Sequence, residues 1–246
     1  MLRQQLAKNP AGAYHGVPWR CHEISRIEAL SDAVFAFAIT LLIVALEVPE
    51  TFDALWAKMH GFVAFAISFA LLFHVWYAQH TFFRRYGLQD GPTVVLNGAL
   101  LFLVLFYMYP LKFLFAFLVS MFTGGHGIAH LPDGRTEPMV ANVAQAKTMM
   151  IVYAAGFIAV FAVFVLLYIH AVRKRHEIGL TDIEVFDARE SIGEHLVMVA
   201  VGALSIAVLF ATGSPGLSGF TYGLIAPAQS VHGVLRGRQR RRLFGV

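Results

Sequence analysis

Apolar runs of membrane length recur six times along the chain, near 28–48, 54–82, 93–122, 142–172, 193–212 and 215–235. A bilayer core of about 30 Å takes roughly 20 helical residues, so each run predicts one membrane-spanning helix. The breaks fall at Glu47-Val-Pro-Glu50, Leu88-Gln-Asp-Gly-Pro92, the Gly- and Pro-rich stretch 123–138, Arg173-Lys-Arg-His176 and Gly213-Ser-Pro-Gly216, all residue types that stop helices. The last break is so short that helices five and six are expected to form a hairpin. The pattern predicts an all-α, polytopic membrane protein with a polar arm at 1–25, a six-helix domain at 26–235 and a basic tail at 236–246. Between helices four and five, 173–191 mixes charges with Ile178, Leu180, Ile183, Val185 and Phe186. It is either a solvated connector or a short interfacial helix.

Composition agrees with this map. Of 246 residues 58% are hydrophobic and 14% charged, and mean hydropathy is +0.65, whereas soluble domains carry about 25% charge. Of the 19 Lys and Arg, 15 fall on one side of the six-span map, only Lys58, Arg135 and Lys147 fall on the other, and Lys112 sits late in helix three. The positive-inside rule then places both termini in the cytoplasm and supports an even number of spans. The first 25 residues have no apolar centre, so no cleaved signal peptide is expected. Cys21 is the sole cysteine, which excludes intrachain disulfides and Cys-rich metal motifs. The sequence pI of about 9.3 comes from juxtamembrane Arg and Lys, so anionic lipid at the basic tail, rather than nucleic acid, is the expected partner.

The chemistry concentrates in helix one. Arg26, Glu28, Ser31 and Asp32 stand at the entrance of an apolar span, and ionisable groups at membrane depth cost free energy unless they pair or face protein. Arg26 and Glu28 either mark the wet helix end or reach neighbouring helices; their spacing does not favour an Arg26–Asp32 bond. His74, Trp76, Gln79 and His80 in helix two and Asn97 in helix three lie at the depth of Asp32, and together these groups can satisfy one another's hydrogen bonds. Either a structural network or a proton relay is compatible with this set. Farther along, Phe37, Thr40, Leu41 and Val44 form one stripe and Ile39, Ile43 and Leu46 another. The helix is apolar nearly all round, so periodicity does not say which stripe meets lipid, protein or a pore. Gly219 and Gly223 form a small-residue pair whose usual meaning is close helix approach.

Signals for an enzyme are weak. His126 and His130 lack the adjacent Glu of a zinc-protease frame, Ser218 lacks a nucleophile elbow, and no phosphate-binding Gly-rich loop or carbonyl filter sequence is present. Neither catalysis, a cofactor nor a resident metal is expected.

Arg26-x-x-x-Leu-Ser-Asp32, followed by Ala-Val-Phe-Ala-Phe-Ala-Ile-Thr-Leu-Leu, resembles the R-x-x-x-F-S-D signature of the TMEM175-type potassium channels, in their bacterial form with one six-helix repeat. Trp76-Tyr-Ala-Gln79-His80 and Asn97 are similar to further family positions in helices two and three. Leu30 and Gln79 depart from the motif residues, Pro110 is displaced along helix three, and Phe37 stands where an aliphatic residue is usual. The resemblance implies a homotetramer in the prokaryotic cell membrane, with helix one of each copy lining a central pore. It implies that Phe37, Thr40, Leu41 and Val44 line that pore, and that Arg26, Ser31, Asp32, Trp76, His80 and Asn97 fix helix one around it. Potassium would then pass as a permeant ion and bind only transiently. The competing readings are a proton-coupled secondary transporter using Asp32, His80 and Glu28, and a non-conducting membrane scaffold. Against the transporter, the sequence has no inverted repeat and no matched pair of broken helices.

Overall fold

The computed structural model describes residues 13–14, 17–18, 23–44, 51–52, 56, 59, 62–122, 127–130 and 135–244. The long helices are α1 (Arg26–Val44), α2 (Phe62–Tyr86), α3 (Gly91–Phe122), α4 (Val143–Arg173) and α5 (Asp182–Thr212). They are followed by short α6 (Pro215–Phe220), one 3-10 turn (Thr221–Leu224) and α7 (Ile225–Phe244). Two small antiparallel hairpins complete the described chain: β1 (Ala13–Tyr14) with β2 (Val17–Pro18), and β3 (Ile128–His130) with β4 (Thr136–Pro138). By length and hydropathy, three helices among the described residues suit a membrane crossing: Gly91–Leu118, Val143–Arg173 and Asp182–Thr212.

Local chemistry sets the helix ends. Ser25 and Glu28 cap α1 reciprocally, the Glu28 N–H donating to Ser25 Oγ at 3.2 Å and the Ser25 N–H to Glu28 Oε2 at 2.9 Å, an arrangement that satisfies two otherwise orphaned donors. α2 stops where Gly87 adopts φ 60° and its N–H bonds the Phe83 carbonyl at 2.9 Å, a left-handed turn that glycine makes without penalty. Asp90 then starts α3 by accepting from the Thr93 N–H at 3.3 Å. α5 begins with Thr181, whose N–H and hydroxyl both donate to Glu184 at 2.7 Å, and ends at Gly213 with φ 68°.

Packing divides the bundle into two linked groups. α1, α2 and α3 pack on one another, α3 packs on α4, and α4 and α5 form the longest helix pair, against which α6 and α7 lie. Phe35, Phe82, Phe83, Leu100, Phe164 and Leu167 are the large side chains at the centre. α3 and α4 meet at a knob-in-hole contact, because the Tyr107 ring occupies the space where a Cβ on Gly156 would stand, only 1.9 Å away. Nearby, the Tyr107 hydroxyl donates to the Val152 carbonyl at 2.9 Å and the Tyr153 hydroxyl bonds the Pro110 carbonyl. Pro110 lies within α3, where a proline leaves a carbonyl one turn earlier without its usual donor.

The structure departs from the sequence pattern in four places. Residues 182–191 are neither a free connector nor a separate helix; they are the first turns of α5. Their buried face is polar, comprising Glu184, Asp187 and Ser191, so a hydropathy window passes over it. α2 runs to Tyr86 rather than 82. The final apolar run is broken: Ser218 Oγ donates to the Ser205 carbonyl and Thr221 Oγ1 to the Ser218 carbonyl, and Pro227 supplies no N–H for Gly223. Beyond that break the basic segment is helical to Phe244. Gly219 and Gly223 do not mediate close approach among the described residues, since a Cβ on either would meet nothing nearer than Met150 at 3.9 Å. Gly156, Gly193 and Gly202 occupy the tight crossings instead.

Candidate pore helix and its anchoring network

Two faces of α1 differ sharply. Glu28, Ser31, Phe35, Ala38 and Leu42 recur every three or four residues and are buried, Phe35 at 2% and Ala38 at 0% exposure. The opposite face leaves Phe37 58% exposed, with Ala33, Ala36 and Thr40 also exposed and Leu41 at its half-buried edge. The ambiguity between stripes is thereby reduced. Ile39 packs toward the core, whereas Phe37 and Thr40 turn away from it. The side chain of Val44 lies outside the described residues.

Side-chain bonds hold this orientation. The Trp76 indole N–H donates to Asp32 Oδ1 at 2.8 Å. Asn97 Nδ2 donates to Ser31 Oγ at 2.9 Å, Gln79 Nε2 donates to Asn97 Oδ1 at 3.2 Å, and Ser31 Oγ passes its proton back to the Ile27 carbonyl at 2.8 Å. Gln79, Asn97 and Ser31 are 1%, 2% and 0% exposed, so this chain of three side chains is buried, and each member gives the next a hydrogen-bond partner. His80 stacks on Trp76 with ring centroids 5.3 Å apart and planes 24° apart. Arg26 is exposed and has no hydrogen-bonding or ionic partner among the described residues. His74 also faces out and makes no hydrogen bond among them. Of the sequence-predicted network, Ser31, Asp32, Trp76, His80 and Asn97 thus converge, and Arg26 does not join them.

A second, ionic layer was not anticipated from the sequence. Arg84 Nε lies 3.6 Å from Glu28 Oε1, tying the end of α2 to the first turn of α1. The next residue, Arg85, reaches the other way to Asp187 on α5 at 2.9 Å, the two side chains being 5% and 3% exposed. Asp187 also accepts from Arg240 Nε at 3.1 Å. No spacing rule pairs Arg85 with a residue 102 positions away. At the same end of the bundle, Asp90 contacts His170 at 2.7 Å and Lys174 at 3.3 Å. Burial would raise the Asp90 pKa, but hydrogen bonds from Thr93 and His170 outweigh it and hold the carboxyl well below the usual carboxylate range.

Along α1 the arrangement offers no catalytic set. An anchored helix presents an apolar stripe with a single hydroxyl, Thr40 Oγ1, which donates to the Ala36 carbonyl at 2.9 Å. That bond uses the hydroxyl's proton and leaves its lone pairs on the exposed face. Fold and site together define a helical membrane protein whose first helix is braced on one side and bare on the other.

Comparison with known proteins gives the family. A sequence profile described as the endosomal/lysosomal potassium channel TMEM175 matches residues 26–107. A potassium channel of Marivirga tractuosa is 40% identical over 231 residues, 92% of this chain and 93% of that one. A potassium channel of Streptomyces collinus is 29% identical, over 87% of this chain and 90% of that protein. The crystal structure of the potassium channel MtTMEM175, bound to a nanobody fusion, superposes with a TM-score of 0.78 at 38% identity, covering 93% of this chain and all of that one. A second crystal structure, a lysosomal potassium-selective TMEM175 homologue from Chamaesiphon minutus, gives a TM-score of 0.51 at 30% identity over 84% of this chain and 96% of that one. The chain belongs to the TMEM175 potassium channel family, and it is not an enzyme.

Proposed function

We propose that this chain is a potassium channel of the cell membrane, with six spans and both termini in the cytoplasm. Its pore forms where the bare faces of α1 from several copies meet, most economically four. The observation that carries this reading is the division of α1 into a bonded, buried face and an uncovered face bearing Phe37 and Thr40. Leu41 at the stripe's edge and Val44 one turn on extend the lining.

The physics of such a pore follows from its chemistry. A ring of Phe37 side chains has no ligands to offer, so an ion passes it with part of its hydration retained. Potassium, which sheds water more cheaply than sodium, passes more readily. Thr40 lies three residues farther along, and its outward lone pairs replace part of the lost water. The same apolar ring can empty of water and close, so selection and gating share one place. Asp32 and His80 serve as anchors in this account, the first bonded to Trp76 and the second stacked on it, and no cofactor is required.

The test is reconstitution of the purified protein in liposomes with opposed potassium and sodium gradients. The expected current reverses near the potassium equilibrium potential and needs no pH gradient. Flux that requires a proton gradient or an exchanging substrate would replace the channel by a carrier.

A further inference from the structure

The basic C-terminal segment α7 is a two-faced helix, one face docked and the other exposed. One face of α7 docks on α5 in antiparallel register. Gln229 Nε2 donates to the Glu194 carbonyl at 2.9 Å, His232 lies over Gly193, Arg240 bonds Asp187 at 3.1 Å, and Phe244 meets Phe186 with ring centroids 5.7 Å apart. These positions are spaced by three, eight and four residues, about one, two and one helical turns, and form one stripe.

The opposite face is left exposed among the described residues. Val231, Val234 and Leu235 are 59%, 53% and 59% exposed. Arg238, Arg241 and Arg242, on the same face, are exposed and carry no hydrogen bond or ion pair among the described residues. The three arginines follow the three apolar residues by about two turns, or about 10 Å along the axis. An apolar patch leading into a cationic one at that distance matches a phospholipid, acyl chain first and phosphate beyond it.

We propose that Arg238, Arg241 and Arg242 form a binding surface for anionic phospholipid headgroups of the cytoplasmic leaflet, with Val231, Val234 and Leu235 against the acyl chains. Arg240 does not belong to that surface, because Asp187 holds it inward. The proposal rests on the topology stated under Proposed function but not on conduction, so a protein that failed to pass potassium would leave it standing.

The experiment is lipid retention by the full-length protein in native mass spectrometry, with phosphatidylglycerol and phosphatidylcholine supplied at equal concentration. The wild type is expected to retain the anionic lipid about a hundredfold better, and R238Q/R241Q/R242Q to lose that preference, on the scale of about fivefold for each of the three arginines near an anionic surface. R238K/R241K/R242K should keep the preference, which guards against a folding artefact, and R240Q should stay within about twofold of wild type. Equal retention of both lipids by the wild type, or a loss in R240Q as large as in R241Q, would overturn the assignment. So would displacement of the lipid by millimolar inorganic phosphate, which would make the site one for free anions. Disulfide cross-linking between copies through Arg241→Cys would instead show this face covered by a neighbouring subunit.

Discussion

Trp76 donates its indole N–H to Asp32 at 2.8 Å across 44 residues of sequence, and that bond fixes how far α1 is rotated. Trp76→Phe keeps the ring that stacks on His80 but removes the donor. Hydrogen bonds between membrane helices average about 0.6 kcal/mol and reach about 1.7, so W76F should lower stability by about 1 kcal/mol and broaden potassium-to-sodium discrimination. Thermal unfolding in detergent, paired with reversal potentials, checks both. A variant with normal discrimination would separate the bond from pore geometry.

The Gln79–Asn97–Ser31 chain is buried, so its members should couple. Asn97→Leu strands the Gln79 amide without its partner, at a cost of about 1–3 kcal/mol. Gln79→Leu on top of Asn97→Leu should cost less than the sum of the two single changes. A double-mutant cycle measured by denaturation reads this coupling directly; strict additivity would show that the two amides act independently.

Asp187 sits between Arg85 and Arg240 and is 3% exposed. Removing a buried partner leaves uncompensated charge, so Asp187→Ala should destabilise by about 3–5 kcal/mol. Arg85→Met combined with Asp187→Leu should recover most of it. Unfolding midpoints at low and high salt should show the same ordering, since a buried pair is little screened.

The contact between Tyr107 and Gly156 predicts a steric result. Gly156→Ala would place its Cβ 1.9 Å from the Tyr107 ring, and overpacking of this kind costs about 1–3 kcal/mol. Tyr107→Leu should rescue it in part, as measured by the fraction of folded protein surviving a fixed temperature.

Asp90 supplies a pH dependence with a definite sign. Its folded-state pKa is depressed, so its stabilising contribution is present above the unfolded carboxylate value of about 3.9 and is lost as pH falls below it. Stability against pH should therefore decline more steeply below about pH 4 in the wild type than in Asp90→Asn. Parallel curves for the two proteins would remove Asp90 from the account.

How much of this was legible beforehand depends on the range of the interaction. The apolar runs predicted α1 to α5 in outline, because hydrophobic patterning is local, whereas the last run is interrupted by a 3-10 turn and only three described helices suit a membrane crossing. The positions Ser31, Asp32, Trp76, His80 and Asn97 were legible because polar groups inside an apolar span stand out one by one and share a depth. Arg26 was expected with them on the strength of its motif, yet within the chain it points outward. The Arg85–Asp187–Arg240 cluster was hidden, since each residue lies in a charged stretch that reads as a wet loop until α5 is seen to begin at Asp182. Which stripe of α1 faces inward was equally closed to periodicity, and packing by Phe35, Ala38 and Leu42 decides it.

The claim that the bare face of α1 lines the conduction path is tested most directly by thiol accessibility. With Cys21 replaced by Ser, single cysteines are placed at Thr40, on the exposed face, and at Ala38, on the buried face, and potassium flux is followed as a water-soluble, charged thiol reagent is added. The account predicts that Thr40→Cys reacts and loses most of its flux, while Ala38→Cys conducts unchanged. Flux that is indifferent to modification at 40, or blocked from 38 instead, would contradict it.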